Sequence, residues 1–245
     1  MWGIKILVLV CFGALTPHVS AQQGPEICST LQSWETRSSQ GEKGNPDFYI
    51  EQVATIHQWL VSDPNNARLW ALLGSAYEAH GYSHAQLAAK QQQDLRENLA
   101  TIFAMQDDYK SAVSILFSES GKEAGKLSDT DKQFQQRRLS AALAATQNAI
   151  RHNDKLAYAY ILKGSINTKQ ENFSAAEQSL QKGINLASTP SLKILASFAL
   201  VEVLEKTGQD TSDLQALILQ QVVEAGGIEK LEDSVSYLLF PQCNY

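Results

Sequence analysis

The chain has few positive charges and no cluster of them. Lysine and arginine together number 20 against 26 aspartates and glutamates, which gives a formal net charge of −6 over 245 residues. Arg137 and Arg138 form the only adjacent basic pair. Binding to nucleic acid or to an anionic membrane surface requires clustered lysine and arginine. The composition therefore argues against both kinds of partner, and we expect the arginine pair to belong to a solvated helix face.

The patterns of common catalytic and cofactor sites are absent as well. The sequence contains no nucleophile elbow, phosphate-binding loop, H-E-x-x-H motif or C-x-x-C-H haem attachment motif. His80 and His84 have the four-residue spacing at which a helix can present two metal ligands, but Gly81 and an expected turn fall between them. We therefore expect no enzyme activity, no metal site and no cofactor.

No apolar run is long enough to cross a bilayer, which takes about 20 residues. The longest apolar stretch, Ile6 to Leu15, follows Lys5 and is followed by Val19, Ser20 and Ala21. A basic residue, a short apolar core and small residues at a cleavage site are typical of a secretory signal peptide. We expect residues 1–21 to be removed, leaving a periplasmic or secreted chain without a membrane span.

Cysteine is scarce, and its placement agrees with export. Of the three cysteines, Cys11 lies in the predicted signal peptide, whereas Cys28 and Cys243 remain near opposite ends. An even pair in an oxidising compartment predicts a disulfide. An intermolecular bond and two free thiols are the alternatives, since nothing in the sequence determines whether the two ends meet.

What the chain does have is one helical pattern after another. Residues 22–45 are rich in Gly, Ser, Gln and Glu and predict a loop-rich segment with a short helix around Ile27, Leu31 and Trp34. Apolar spacing of three and four residues predicts a helical domain over 46–240, followed by a tail at 241–245. Within it we expect a helix from Pro46, a helix from Ala67 that turns at Gly81 and Tyr82 into a second helix with Ala85, Ala88 and Ala89, and later helices at 131–152, 157–190 (a pair), 191–206, 211–225 and 228–239.

One motif within this domain is specific. Trp70, Leu73, Gly74 and Tyr77 stand in the order W-x2-L-G-x2-Y, which resembles the first helix of a tetratricopeptide repeat, a helix pair of about 34 residues. A second stretch, 157–190, resembles the same repeat through Tyr160, Gly164 and Ala176. The two stretches begin 90 residues apart, which is not a multiple of the repeat length. The resemblance therefore implies an all-α, tetratricopeptide-like solenoid of antiparallel helix pairs with an irregular middle and a helical C-terminal cap.

The resemblance also implies which side chains do what. In the family, ligands contact fixed positions of each first helix, where it lines the concave groove. These positions correspond here to Arg68, Ala71, Ser75, Glu78 and Ala79, and to Tyr158, Ile161, Ser165, Thr168 and Lys169. The packing positions correspond to Trp70, Leu73, Gly74, Tyr77, Tyr160, Gly164 and Ala176.

Such repeats hold proteins or peptides more often than they perform chemistry. The first hypothesis is an exported scaffold that binds another protein of the cell envelope in its groove. Residues 50–90 are similar to the repeat domain of bacterial cytochrome c maturation proteins, which implies an apocytochrome segment as one such partner. The alternative is a structural subunit of an envelope, pilus or secretion assembly, which could form a homo-oligomer. A helical enzyme is the third hypothesis.

Overall fold

A computed structural model of the chain describes residues 20–42, 45–84, 128–224, 238–240 and 243. The regular structure of these residues is helical, and they contain no strand. None of the helices described is long and apolar enough to cross a membrane. The all-α prediction is confirmed for this part of the chain. Residues 1–19 of the predicted signal peptide lie outside the described residues.

The N-terminal segment is more helical than its composition predicted. Helix α1 spans Ser20–Ser39, so the expectation of a short helix in a loop-rich segment is wrong. Its apolar residues Ile27, Leu31 and Trp34 are all buried and recur at intervals of four and three residues. A helix with such a stripe is stabilised by packing, whatever the helix propensity of its polar residues. Here that packing is against α2, where Trp59 lies 5.6 Å from Trp34 between ring centroids.

Helix α2 spans Pro46–Ser62, as predicted from Asn45 and Pro46. The Asn45 side chain accepts a hydrogen bond from the Asp47 backbone N–H, and proline follows at the first helical position, where no N–H is needed. Helix α3 is described over 67–84. It begins after Asn66, whose Oδ1 accepts from the backbone N–H of Leu69 at 3.2 Å.

The predicted turn at Gly81 and Tyr82 is wrong, because α3 continues through both residues to His84. Gly81 serves a different purpose. A Cβ atom built on it would lie 3.0 Å from the Cβ of Arg138. The glycine therefore lets the helix that carries Arg138 approach the α3 backbone closely.

Between residues 128 and 224 the structure describes five further helices, close to the predicted positions. They are α4 Asp129–His152, α5 Ala157–Lys169, α6 Phe173–Leu186, α7 Pro190–Lys206 and α8 Ser212–Glu224. Ser128 caps α4 and Thr189 caps α7, each accepting a hydrogen bond from the backbone N–H three residues on. Of the predicted helix 228–239, only residues 238 and 239 are described, and both are helical.

Two glycines, one in each repeat-like stretch, make equivalent contacts with a second helix. A Cβ on Gly74 of α3 would meet Thr146 and the carbonyl oxygen of Ala142, both on α4. A Cβ on Gly164 of α5 would meet Leu180 and the carbonyl oxygen of Ala176, both on α6. The two α4 residues precede the two α6 residues by 34 positions, whereas the two glycines are 90 positions apart.

Helix α4 therefore packs on α3 in the same way as α6 packs on α5. In the sequence, residues 85–127 separate α3 from α4. The prediction that a helix carrying Ala85, Ala88 and Ala89 completes this pair stays a prediction, while among the described residues α4 makes the equivalent contacts. Residues 85–127, which include those alanines, lie outside the described residues.

Successive helices from α4 to α8 pack on one another in chain order, and α5 also contacts α7. Contact between successive helices, together with the next-neighbour contact of α5 with α7, is consistent with a helical solenoid. The C-terminal residues return to the beginning of the chain: Cys243 forms a disulfide with Cys28 of α1, with 5.1 Å between their Cα atoms. Leu239, Phe240 and Cys243 are buried in the same apolar core as Leu31 and Trp34.

Candidate partner-binding surface

The residues predicted to line the groove come from two helices, and the structure brings the two sets together. The Ser165 hydroxyl of α5 donates to the Glu78 carboxylate of α3 at 2.7 Å, and the Lys169 ammonium donates to the same oxygen at 2.8 Å. Near the other end of α5, the Tyr158 hydroxyl lies 3.4 Å from the Ser75 hydroxyl of α3. These contacts join the first helices of two neighbouring pairs.

Four of the predicted ligand-contacting residues are inaccessible. Ala71, Tyr158, Ile161 and Thr168 are between 0% and 6% exposed. Burial raises the pKa of the Tyr158 phenol above its ordinary value, and nearby Glu78 raises it further while the bond to Ser75 lowers it. A partner lying on this surface cannot contact these four side chains, so the structure places them in the packing between helices instead.

The accessible remainder forms a surface of mixed chemistry. Arg68 and Lys169 are exposed, Ser165 and Glu78 are partly exposed, and the Lys169 ammonium lies 5.4 Å from the ring centroid of Tyr82. Arg68, Ser75 and Tyr82 are spaced by seven residues, which places them on one stripe of α3. We call Arg68, Glu78, Tyr82, Ser165 and Lys169 the α3–α5 surface. Ala79 is partly buried at its edge.

Tyr82 is a member of this surface that the sequence interpretation missed. It was assigned to a turn because it follows Gly81, yet its ring is 51% exposed on the continuing helix. One signal could have found it. No glycine or proline occurs from Tyr82 through Ser120, which favours continuation of the helix over a break.

The residues assigned to packing lie in or against the core. Leu73 and Ala176 are essentially inaccessible, and Tyr160 is buried with the Lys182 ammonium 4.3 Å from its ring centroid. Trp70 is partly buried, and its indole N–H donates to the Pro64 carbonyl at 2.8 Å. Tyr77 is also partly buried, with its hydroxyl 2.9 Å from Nε2 of His57. Gly74 and Gly164 sit at the close approaches described above.

His80 and His84 share one face of α3 after all, because the expected turn between them is absent. Neither joins a metal cluster: the described residues contain no group of three His, Cys, Asp or Glu side chains arranged to hold an ion. His84 instead contacts Asp131 of α4, with 3.1 Å between Nε2 and Oδ1.

No family model, curated protein or solved structure matches the chain. The structure therefore defines a class only: an all-α protein whose successive helices pack in a manner consistent with a solenoid. Within that class, the α3–α5 surface is the place where exposed charged and aromatic side chains from two helix pairs meet.

Proposed function

We propose that the chain is an exported tetratricopeptide-type scaffold that binds a segment of another cell-envelope protein on the α3–α5 surface. The observation that carries this proposal is the recurrence of one helix-pair contact. Gly74 and Gly164 occupy the same position of the repeat motif, and their partners on α4 and α6 are separated by the 34 residues typical of the family. The predicted signal peptide and the Cys28–Cys243 disulfide support export.

The chemistry of the surface suggests what it binds. Lys169 and Arg68 offer cationic donors at two points of the surface, and Tyr82 offers an exposed ring. An extended peptide with a carboxylate or carbonyl group near Lys169 and an apolar side chain against Tyr82 would use a few anchors in this way. An apocytochrome segment is one exported chain of this kind, and the similarity of residues 50–90 to cytochrome maturation proteins makes it the first to test.

The test is photo-crosslinking in the cell from positions 68, 82 and 169, with Gln178 as the matched control. Gln178 is exposed on α6, away from the α3–α5 contacts. Tyr158 is unsuitable, because a crosslinker at that buried position would report on α3 itself. We expect the three surface positions to capture the same exported protein and position 178 to capture none of it.

A binding measurement with the captured protein completes the test. Lys169→Ala and Tyr82→Ala should each weaken binding while leaving the urea midpoint of unfolding close to that of the wild type. Equal capture from position 178, or unchanged binding in both variants, would contradict the proposal.

A second candidate is a structural subunit of an envelope assembly, and one observation favours it. Phe198 of α7 and Leu219 and Val223 of α8 are 49%, 66% and 76% exposed. Gln215 of α8 donates to Glu205 of α7 at 3.1 Å, and this register places the three apolar side chains on the same side of the helix pair. A molecular mass of the wild type that rises with protein concentration would favour this candidate, if the double variant Leu219→Ser with Val223→Ser stays monomeric.

A further inference from the structure

Residues 80–84 of α3 and the first turns of α4 meet in a cluster of aromatic and cationic side chains. The imidazole of His80 lies 5.3 Å, and that of His84 4.2 Å, from the Phe134 ring between centroids. The Arg138 guanidinium lies 5.0 Å from the centroid of the same ring. We call His80, His84, Asp131, Phe134 and Arg138 the α3–α4 joint. Because Gly81 allows the Arg138 side chain to approach closely, the joint has little spare room.

His80 is the unusual member of the joint. It is 3% exposed, and its Nδ1 atom has no hydrogen-bond partner among the described residues. The charged and titratable groups that face it are Arg138 of α4, His84 of its own helix and Asp47 of α2, of which only Asp47 favours a positive charge. A proton on His80 would therefore place a buried positive charge beside that of Arg138. A positive charge on His84 would add to the repulsion.

His84, in contrast, lies beside a carboxylate. Its Nε2 atom lies 3.1 Å from Asp131 Oδ1, and the other carboxylate oxygen accepts from the Ser128 hydroxyl at 2.6 Å. The bonds from Ser128 and His84 lower the pKa of Asp131, so this carboxylate stays charged in mild acid. A positive charge on His84 would strengthen this contact and add to the repulsion at His80. The side chain of His84 is 35% exposed, and solvent weakens the gain.

We infer that the α3–α4 joint is an acid-sensitive switch: protonation of His80 drives residues 80–84 of α3 away from the first turns of α4, while the other helix pairs stay packed. The cause is local, because the cluster is confined to these two stretches and His80 Nδ1 has no hydrogen-bond partner among the described residues. α3 also carries Glu78 and Tyr82, so opening would move the α3–α5 surface. That last consequence rests on the proposed function, whereas the switch itself does not.

The pH range follows from the two states of His80. Burial, with contributions from Arg138 and His84, lowers the pKa of His80 from its ordinary 6.5 to about 4 in the closed joint. The closed state thus holds fewer protons than an open, solvated state. Its stability relative to the open state is therefore complete above pH 6.5 and is lost progressively down to about pH 4. At pH 5 this difference favours opening by about 30-fold relative to pH 8.

Amide hydrogen exchange of the full chain at pH 5 and pH 8, corrected for intrinsic rates, measures the opening directly. We expect the protection of peptides from 75–84 and 129–138 to fall by about 30-fold at pH 5, as calculated from the two pKa values of His80. Peptides from α6 serve as the internal reference and should keep their protection. In His80→Leu the acid-induced loss should disappear.

His152→Gln is the matched control, because it removes an exposed histidine from the other end of α4 and should leave the acid response unchanged. A wild type with no local loss at pH 5, or an acid response that survives in His80→Leu, overturns the inference. If His80→Leu does not fold, an NMR titration of His80 in the wild type decides: a pKa below 5 supports the switch, and a pKa near 6.5 contradicts it.

Discussion

At Gly164 the missing side chain allows α5 and α6 to touch. A Cβ atom there would overlap Leu180 Cγ, and Leu180 is fully buried. Gly164→Ala should therefore destabilise the protein by about 1–3 kcal/mol, as overpacked cores do. Urea unfolding measures the change.

Gly24→Ala provides the matched control, because nothing lies within 4 Å of the Cβ position at Gly24 in α1. Alanine there should be neutral or stabilising, since it has the higher helix propensity. Equal stability of Gly164→Ala and the wild type would contradict the close packing of α5 on α6.

Trp70 contributes both a ring and a hydrogen bond. It packs partly buried against the core, and its indole N–H donates to the Pro64 carbonyl in the turn before α3. Trp70→Ala should cost about 3 kcal/mol, the lower end for an aromatic deletion because the ring is only partly buried. Trp70→Phe keeps most of the ring and should cost about 1 kcal/mol. Thermal and urea unfolding of both variants test this order. Equal losses of stability in the two variants would show that the packing of the ring does not contribute.

At the scale of single elements, caps decide where the helices begin. Asn66 Oδ1 accepts from the backbone N–H groups of Arg68 and Leu69 at the start of α3. Asn66→Ala should lower the free energy of unfolding by about 1 kcal/mol. Asn65→Ala is the control, because the neighbouring Asn65 is exposed in the same turn. If both variants unfold at the same urea concentration, the cap contributes nothing.

At Gly81 the repeat motif predicts a turn, and the alanines that follow predict a second helix. Those alanines lie outside the described residues. The contacts of Gly74 with Ala142 and Thr146 assign that place to α4. Such a long-range pairing cannot be read from local periodicity, because periodicity records which face of a helix is apolar and not which helix covers it.

At the scale of the whole molecule, the two ends of the chain are joined. The Cys28–Cys243 bond closes a loop of 215 residues, for which chain entropy predicts a contribution of about 5 kcal/mol as an upper figure. Cys28→Ser with Cys243→Ser should lower the free energy of unfolding by several kcal/mol on that scale. Urea unfolding with and without reductant measures it, and reductant should affect the wild type but not the double variant. A disulfide-linked dimer on a non-reducing gel would contradict the intramolecular bond.

Local sequence was sufficient for the helical class, for most helix positions after residue 128 and for the residues that pack at Leu73, Gly74, Gly164 and Ala176. Apolar spacing, caps and small residues act within one or two turns, so these features can be read without the fold. The sequence also supplied both cysteines, but not the fact that they meet within one chain.

Only the tertiary structure decided which second helix partners α3, how the C-terminal residues return to α1, and which predicted groove residues remain accessible. Tyr158, Ile161 and Thr168 occupy positions that suit a ligand, yet they are buried, because accessibility depends on what the rest of the chain packs against each helix. The same holds for His80. Its residue type and spacing are visible in the sequence, whereas its burial beside Arg138 exists only once α4 lies on α3.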